Sequence, residues 1–420
     1  MKQVIMMLLL SVLSTSATAQ NTVVVTVSNP TNSPRADVPI IIKTTPYGDV
    51  RSALVTHNGQ EIPCQLDDMN QDDSYDELCF LADLGKKETK EYAITFSLEG
   101  EPRSYPARVY AEMVLANTKD KTLKKNQQNN YIEALTARGD AAYTYNVQHH
   151  HGVDFESELN GIRIYFDARQ TLDLYGKYQK RLELKDTQFY TSDEQKAQGY
   201  GDDVLWVGQT FGLGAFRGWN GEKPTLVEPV RTRTQRVISY GPLRAIVEVI
   251  DRGWQAPSPI TLRNATLSER EHPSPINMTL RYTQYAGHRD TDVDVFFNKD
   301  VSAYRFSTGI INVKGSEEFS DKGGLRGCWG TDYPAADTTK WSRETVGLGI
   351  LIPRENIVSE EAANKDNYAY VLKVNGNHMA YKVSYTSDKE TFGFHQAKDW
   401  FNHLSAWKKE MENPVVVTIK

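Results

Sequence analysis

Apolar residues in this chain recur at every second position, again and again, between short stretches of glycine, proline and polar residues. Asn21 to Ser28 alternates around Val23, Val25 and Val27, Val38 to Lys43 is a β-branched apolar run, and Tyr92 to Leu98 reads Tyr-Ala-Ile-Thr-Phe-Ser-Leu. A period of two places successive side chains on opposite faces of a strand, so such a chain folds into half-buried sheets. Thr232 to Ser239 and Arg244 to Asp251 flank Tyr240-Gly241-Pro242-Leu243, a hairpin signature. Met278 to Tyr285 and Thr291 to Asn298 make a similar pair around Ala286-Gly287-His288-Arg289-Asp290. Helical spacing is convincing only from Gln396 to Met411, ended by Asn413-Pro414, and a last strand follows at Val415 to Ile419. These patterns predict an all-β protein built as a large antiparallel sandwich.

Residues 1–19 read as a secretory signal: Lys2, then an apolar stretch from Val4 to Leu13, then Ala17-Thr18-Ala19 as a cleavage site. The apolar stretch is shorter than the roughly 20 residues that span a bilayer, so the expectation is an exported, periplasmic protein without membrane insertion. The remainder divides into a small β-sandwich module over residues 20–102 and a larger β domain over residues 103–420. A net charge of -6 without a basic tract gives no footprint for nucleic acid. The 22 tyrosines and 7 tryptophans suit stacking on sugar rings and equally suit a β-rich core. Of three cysteines, Cys64 and Cys79 are expected to lie close enough for a disulfide, leaving Cys328 free.

Histidine is scarce, nine in the chain, yet three stand together at His149-His150-His151, followed by Gly152-Val153-Asp154-Phe155-Glu156-Ser157-Glu158. Such a cluster at the mouth of a strand suits proton transfer near neutral pH or metal binding. Adjacent His150 and His151 would face opposite ways when extended, and no H-x-x-x-H spacing accompanies them, so zinc is weakly supported. One imidazole pointed into a cleft is the simpler reading. Beyond it, Arg163, Tyr165 and Asp167 share one strand face, and Asp173, Tyr175 and Lys177 repeat the spacing. Arg281, Tyr282, Tyr285, His288, Arg289 and Asp290 form a second polar group, and Gly208 to Trp219 is a glycine-rich loop that could present Trp219 to a sugar. Asp68, Asn70, Asp72 and Asp76 resemble the opening of a calcium loop, although Asp73 stands where glycine usually turns the chain. They are candidate ligands of a structural Ca2+; no other cofactor is required. The chain has no G-x-S-x-G elbow and no H-E-x-x-H motif.

Several short motifs, Ile62-Pro63-Cys64-Gln65-Leu66-Asp67-Asp68, Asp76-Glu77-Leu78, His150-His151-Gly152, Phe155-Glu156-Ser157, Arg163-Ile164-Tyr165-Phe166-Asp167 and Asp173-Leu174-Tyr175-Gly176-Lys177, together resemble a domain-of-unknown-function family. Its members are exported proteins encoded in bacterial polysaccharide-utilisation loci. The resemblance implies a galactose-mutarotase-like β-supersandwich and work on oligosaccharides, with a likeness to an ulvan-oligosaccharide dehydratase. Cys64 departs from the serine or alanine expected there. The resulting expectation is β-elimination, by a lyase or dehydratase, on an acidic, uronate-bearing oligosaccharide. Elimination needs the C5 carboxylate neutralised, a base for the C5 proton and an acid for the leaving oxygen. His151 or His150 is the expected base, Tyr282 the acid, and Arg163, Lys177 and Arg281 the carboxylate contacts, with Tyr165, Trp219 and His288 lining the sugar. A glycoside hydrolase using Glu156 with Glu158 or Asp290 is the alternative. A non-catalytic glycan-binding protein relying on Trp219 is the third reading.

Overall fold

The computed structural model describes residues 20–117, 122, 124–257 and 274–420; the expected signal over residues 1–19 lies outside them. The first strands are β1 (Gln20–Ser28), β2 (Arg35–Lys43), β3 (Ser52–His57), β4 (Gln60–Ile62), β5 (Cys64–Asp67), β6 (Glu77–Leu84) and β7 (Thr89–Ser97). They form two sheets, β1-β7-β3-β4 and β2-β6-β5, around a core of their own that includes Val25, Ile40, Leu78, Phe80, Ile94 and Phe96. The C-terminal strand Val416–Ile419 returns to this module and pairs antiparallel with β1.

The chain continues through β8 (Val109–Glu112), β9 (Ala134–Arg138), β10 (Gly152–Ser157), β11 (Gly161–Tyr165), β12 (Leu172–Gly176) and β13 (Asp202–Asp203). All but β9 join in a five-stranded sheet, in the order β13-β12-β11-β10-β8. β9 instead edges a nine-stranded sheet whose centre is Thr232–Tyr240, Arg244–Trp254, Ile276–Tyr285, Asp290–Phe297 and His378–Ser387. Both expected hairpins are present there. The helix Ala397–Met411 packs Trp400, Leu404 and Trp407 onto the outside of this sheet near Leu325. Every ladder between named strands is antiparallel among the described residues, so the protein is an all-β antiparallel sandwich, as the alternation predicts.

The five-stranded sheet β13-β12-β11-β10-β8, the small sheet, and the nine-stranded sheet face one another. From the small sheet come Val153, Phe155, Ile162, Ile164, Leu172 and Leu174; from the large one come Val247, Val249, Leu280, Tyr282, Val293 and Val295, all in one buried cluster. Strand parity then sends Glu112, Asp154, Arg163 and Asp173 to the outer face of the small sheet, where the candidate site lies.

Register also overturns the expected disulfide. Cys64 pairs with Phe80 while Cys79 pairs with Gln65, so the two thiols leave opposite faces of their sheet. Cys64, Cys79 and Cys328 are all free and buried, and burial pushes the Cys79 and Cys328 thiols up to about 12. Unfolding without reductant should therefore expose three titratable thiols per chain to a thiol reagent; only one would appear if a bridge were present.

A polar joint ties the N-terminal module to the sandwich. Arg108 bridges Asp37 and Glu158, Arg244 bridges Asp67 and Glu77, and Gln65 accepts the backbone N–H groups of Leu243 and Arg244. His288 completes the joint: Nε2 lies 2.8 Å from the Asp37 carbonyl and Nδ1 3.2 Å from the Asp290 carboxylate. Burial works against its charge, but the hydrogen bond and charge of Asp290 prevail over burial and over Lys382, raising it to about 9 from an ordinary 6.5. A raised histidine stabilises fully below its unfolded value and loses that contribution as pH rises through its folded one. Thermal stability should thus fall between pH 6.5 and about 9, by roughly 1–3 kcal/mol at full effect. His288→Gln should flatten this slope in melting curves taken across that range; an unchanged slope would show that His288 does not carry it.

Candidate functional site

Four strands set the floor. Glu112 on β8 stands opposite Asp154 on β10, Asp154 opposite Arg163 on β11, and Arg163 opposite Asp173 on β12. Directly opposed side chains lie about 5 Å apart at Cβ, so these residues make one continuous polar row. β10 is buried on both faces. Gly152, where β10 begins, is required by crowding: a Cβ there would lie 1.7 Å from the Ile164 carbonyl oxygen.

The turn before β10 distributes the three histidines. His151 adopts φ 71°, a left-handed conformation uncommon outside glycine. His150 folds inward: its Nε2 lies 3.5 Å from Glu112 Oε1 and 3.5 Å from Asp154 Oδ2. Exposure is 1% for Glu112 and 0% for His150 and Asp154. Neither ring nitrogen of His150, neither oxygen of Asp154 and not Glu112 Oε1 has a hydrogen-bond partner. Tyr110 donates to the other Glu112 oxygen at 2.7 Å. Burial, then the neighbouring Glu112 charge, raises the Asp154 carboxyl well above its usual range.

His149 and His151 stand at the rim. The His149 ring meets Tyr190 edge-on at 5.2 Å and His150 at 5.7 Å, and its Nε2 is unpartnered. His151 stacks on Tyr165 at 6.0 Å and its Nδ1 lies 3.3 Å from the Tyr145 carbonyl. Burial, followed by neighbouring positive charge, pulls both rings down to about 4, so both are neutral imidazoles at pH 7. Arg163 is held by Asp173, by Asp203 at 3.4 Å and by the Tyr165 hydroxyl at 3.2 Å, with its guanidinium 4.2 Å above the Phe189 ring. Lys125 lies 3.5 Å over the Tyr190 ring. Tyr131, half exposed, closes the side nearest Tyr110 and Gln188. The result is a polar cluster on the outer face of the small sheet: a buried acid–imidazole centre, two cations, two further histidines and several tyrosines.

Several expected site residues lie elsewhere. Tyr282 is a correction: it is fully buried on the opposite side of the small sheet, against Phe155 at 6.4 Å, and cannot reach the cleft. Lys177 and Glu156 pair with each other. Lys177 also donates to the Ser157 and Arg181 carbonyls, and Glu156 accepts the Glu183 and Leu184 amides, so both are fastened into the scaffold. Glu158 is taken up by Arg108 and the Gly287 amide, and Asp290 by His288. Arg281 pairs with Glu248 on the outer face of the large sheet, His288 belongs to the module joint, and Trp219 sits in a separate sheet with β-partner Pro224. The carboxylates of the acidic loop bind its own backbone: Asp68 accepts the amides of residues 70 to 73, Asp72 that of Ser74, and Asp76 that of Met69. Asp73, in glycine's place, takes φ 67°. His150, His151, Arg163 and Tyr165 are the expected residues that the fold brings together. Glu112, Lys125, Tyr131 and Tyr190 escaped the sequence reading, and His149 was read there only as a member of the histidine cluster. Asp154 was noticed there only as part of the acidic run.

No helix among the described residues is long and apolar enough to cross a membrane. No curated protein matches the chain. Among solved structures it is similar to a protein in glycosyl hydrolase family 38 from Enterococcus faecalis, at 10% identity and a TM-score of 0.47, over 95% of this chain and 47% of that one. An alpha-mannosidase from Enterococcus faecalis V583 is similar at 9% identity and a TM-score of 0.48, over 95% and 46% respectively. The chain thus spans less than half the length of either. The profile of a family described as a domain of unknown function, DUF4861, matches residues 27–417, nearly the whole described chain, and the protein belongs to that family.

Proposed function

We propose that the protein is an exported carbohydrate-active enzyme that eliminates a leaving group from uronate-bearing oligosaccharides in the cleft above β8, β10, β11 and β12. The observation that supports this reading most is the convergence of unpartnered, buried acid and imidazole groups with Arg163, Lys125 and several tyrosines on the outer face of one sheet. Buried polar groups are normally satisfied within the protein, so a cluster of orphans is a place prepared for something from outside. His149, whose Nε2 is buried and unpartnered, is the base that would take the C5 proton once substrate is bound. Tyr190, edge-on to His149, is placed to protonate the departing oxygen at C4, its hydroxyl kept in the protonated form by burial. Lys125 and Arg163 offer the positive charge that makes the C5 proton removable.

Two carboxylates with an imidazole Nε2 within 3.5 Å of each leave little room for a sugar carbon between them, which weighs against a two-carboxylate hydrolase at Glu112 and Asp154. Incubation with a panel of uronate oligosaccharides separates the readings. Elimination yields a conjugated C4=C5 bond with strong ultraviolet absorbance; new reducing ends without that absorbance would replace the proposal with hydrolysis, and binding without turnover would replace it with a glycan-binding role.

A further inference from the structure

We infer that Glu112, His150 and Asp154 form a binding site for one divalent transition-metal ion, of the zinc or manganese kind. Their ligand atoms all lie within 4.8 Å of one another, and this is the only such group of three His, Cys, Asp or Glu side chains among the described residues. Five of the donor atoms, Glu112 Oε1, His150 Nδ1 and Nε2, and Asp154 Oδ1 and Oδ2, are buried without a partner.

The contrast with the protein's other buried acids carries the inference. Asp251 is met by Arg233 at 2.8 Å and by Gln170. Glu390 is met by Arg289 at 2.7 Å, by Thr386 at 2.8 Å and by the Ser387 amide. Glu156 has Lys177 and two amides. Among the described residues, only at Glu112 and Asp154 do two carboxylates sit buried side by side with an unpartnered imidazole and no cation in hydrogen-bond range, an arrangement that is costly until a positive ion joins it.

The surroundings fit a metal centre in two further ways. The Tyr110 hydroxyl holds Glu112 Oε2 at 2.7 Å, fixing the carboxylate so that Oε1 turns to His150, as outer partners of metal ligands do. Strand register sets Glu112 opposite Asp154, and the turn at His151 folds the His150 ring back over both, so the site is preformed by the backbone. One imidazole and two carboxylates form a mixed nitrogen and oxygen set that suits Zn2+ or Mn2+ better than the all-oxygen preference of Ca2+ or Mg2+. Three protein ligands leave further coordination positions for water or a substrate oxygen. There a bound ion would draw charge from a substrate carboxylate; that role rests on the function proposed above, whereas the binding itself does not.

The test uses the full mature chain, stripped with a chelator and titrated with Zn2+ and with Mn2+ by calorimetry, beside elemental analysis of the protein as purified. One ion per chain is expected, with a rise in melting temperature on loading. His150→Ala should abolish stoichiometric binding and that rise. Tyr110→Phe, which leaves the ligands in place, should weaken affinity roughly 10–100-fold. Surface ligation is controlled by His378→Ala, at an exposed histidine paired with Asp294, which should bind as wild type. Failure of the folded wild type to bind either ion, or unaltered affinity in both His150→Ala and Tyr110→Phe, would overturn the site. Metal binding without turnover of any uronate oligosaccharide would leave the site standing and remove the functional reading; turnover by fully stripped protein that still binds one ion when loaded would leave the site standing and remove the ion's part in the reaction.

Discussion

Lys177→Ala is expected to destabilise the protein by about 3–5 kcal/mol, because it strands a buried carboxylate. Lys177 and Glu156 are both fully buried, and among the described residues Lys177 is the only cation paired with Glu156. Burial alone pushes the Glu156 carboxyl up, and Lys177 is the chief influence opposing it. Without the ammonium, either an unpaired charge stays buried or the carboxyl takes up a proton, and both cost stability. Against a typical total of about 5–15 kcal/mol, such a loss is a large fraction, and melting should fall by roughly 4–7 °C. The double variant Glu156→Gln, Lys177→Met removes both charges and should recover much of the loss, since replacing a buried pair is far milder than breaking it. Circular-dichroism melts of the three proteins decide the matter. A single variant as stable as wild type would mean that the pair is not the fastening the structure makes it.

The second large effect belongs to catalysis. His149→Ala should lower kcat on the uronate substrate by roughly 10²-fold or more, the contribution of a positioned base, without lowering the melting temperature. Tyr190→Phe should lower it comparably, since it removes the proton donor while keeping the ring that His149 packs against. His151→Ala should be mild: its ring is stacked on Tyr165 and turned to the Tyr145 carbonyl, so it lines the wall. Comparably small losses from His149→Ala and Tyr190→Phe would sink this assignment of base and acid.

The alternation of apolar residues made the sheets legible, and it also put Arg163 on the polar face of its strand; that Asp173 stands opposite it on the next strand comes from the fold. Parity within one strand is a local property, which is why it survives in a single sequence. What alternation leaves open is which face of a strand meets which sheet. Tyr282 was expected in the cleft and lies in the core between the sheets, on the right strand but its inward face. The cysteines failed in the same way: close along the chain, yet opposed through register. Glu112 carried no local signal at all. Its role comes from pairing with Asp154 far along the chain, and only the folded register supplies that neighbour. Lys125, Tyr131 and Tyr190 come from loops that cover the sheet, where no period exists to read. Lys177 and Glu156 were misread for a different reason: a buried structural ion pair has the same residue types as an active site, and only the absence or presence of partners tells them apart.

The most direct test of the account is where a sugar binds. Crystals of the His149→Ala protein, soaked with an acidic oligosaccharide that the wild type converts, should show a uronate unit lying over the small sheet. Its carboxylate should face Lys125, Arg163 and the Glu112–His150–Asp154 floor, with C5 toward the space left by the His149 ring. A sugar seated at Trp219 or on the outer face of the large sheet beside Arg281, with the cleft empty, would contradict the account.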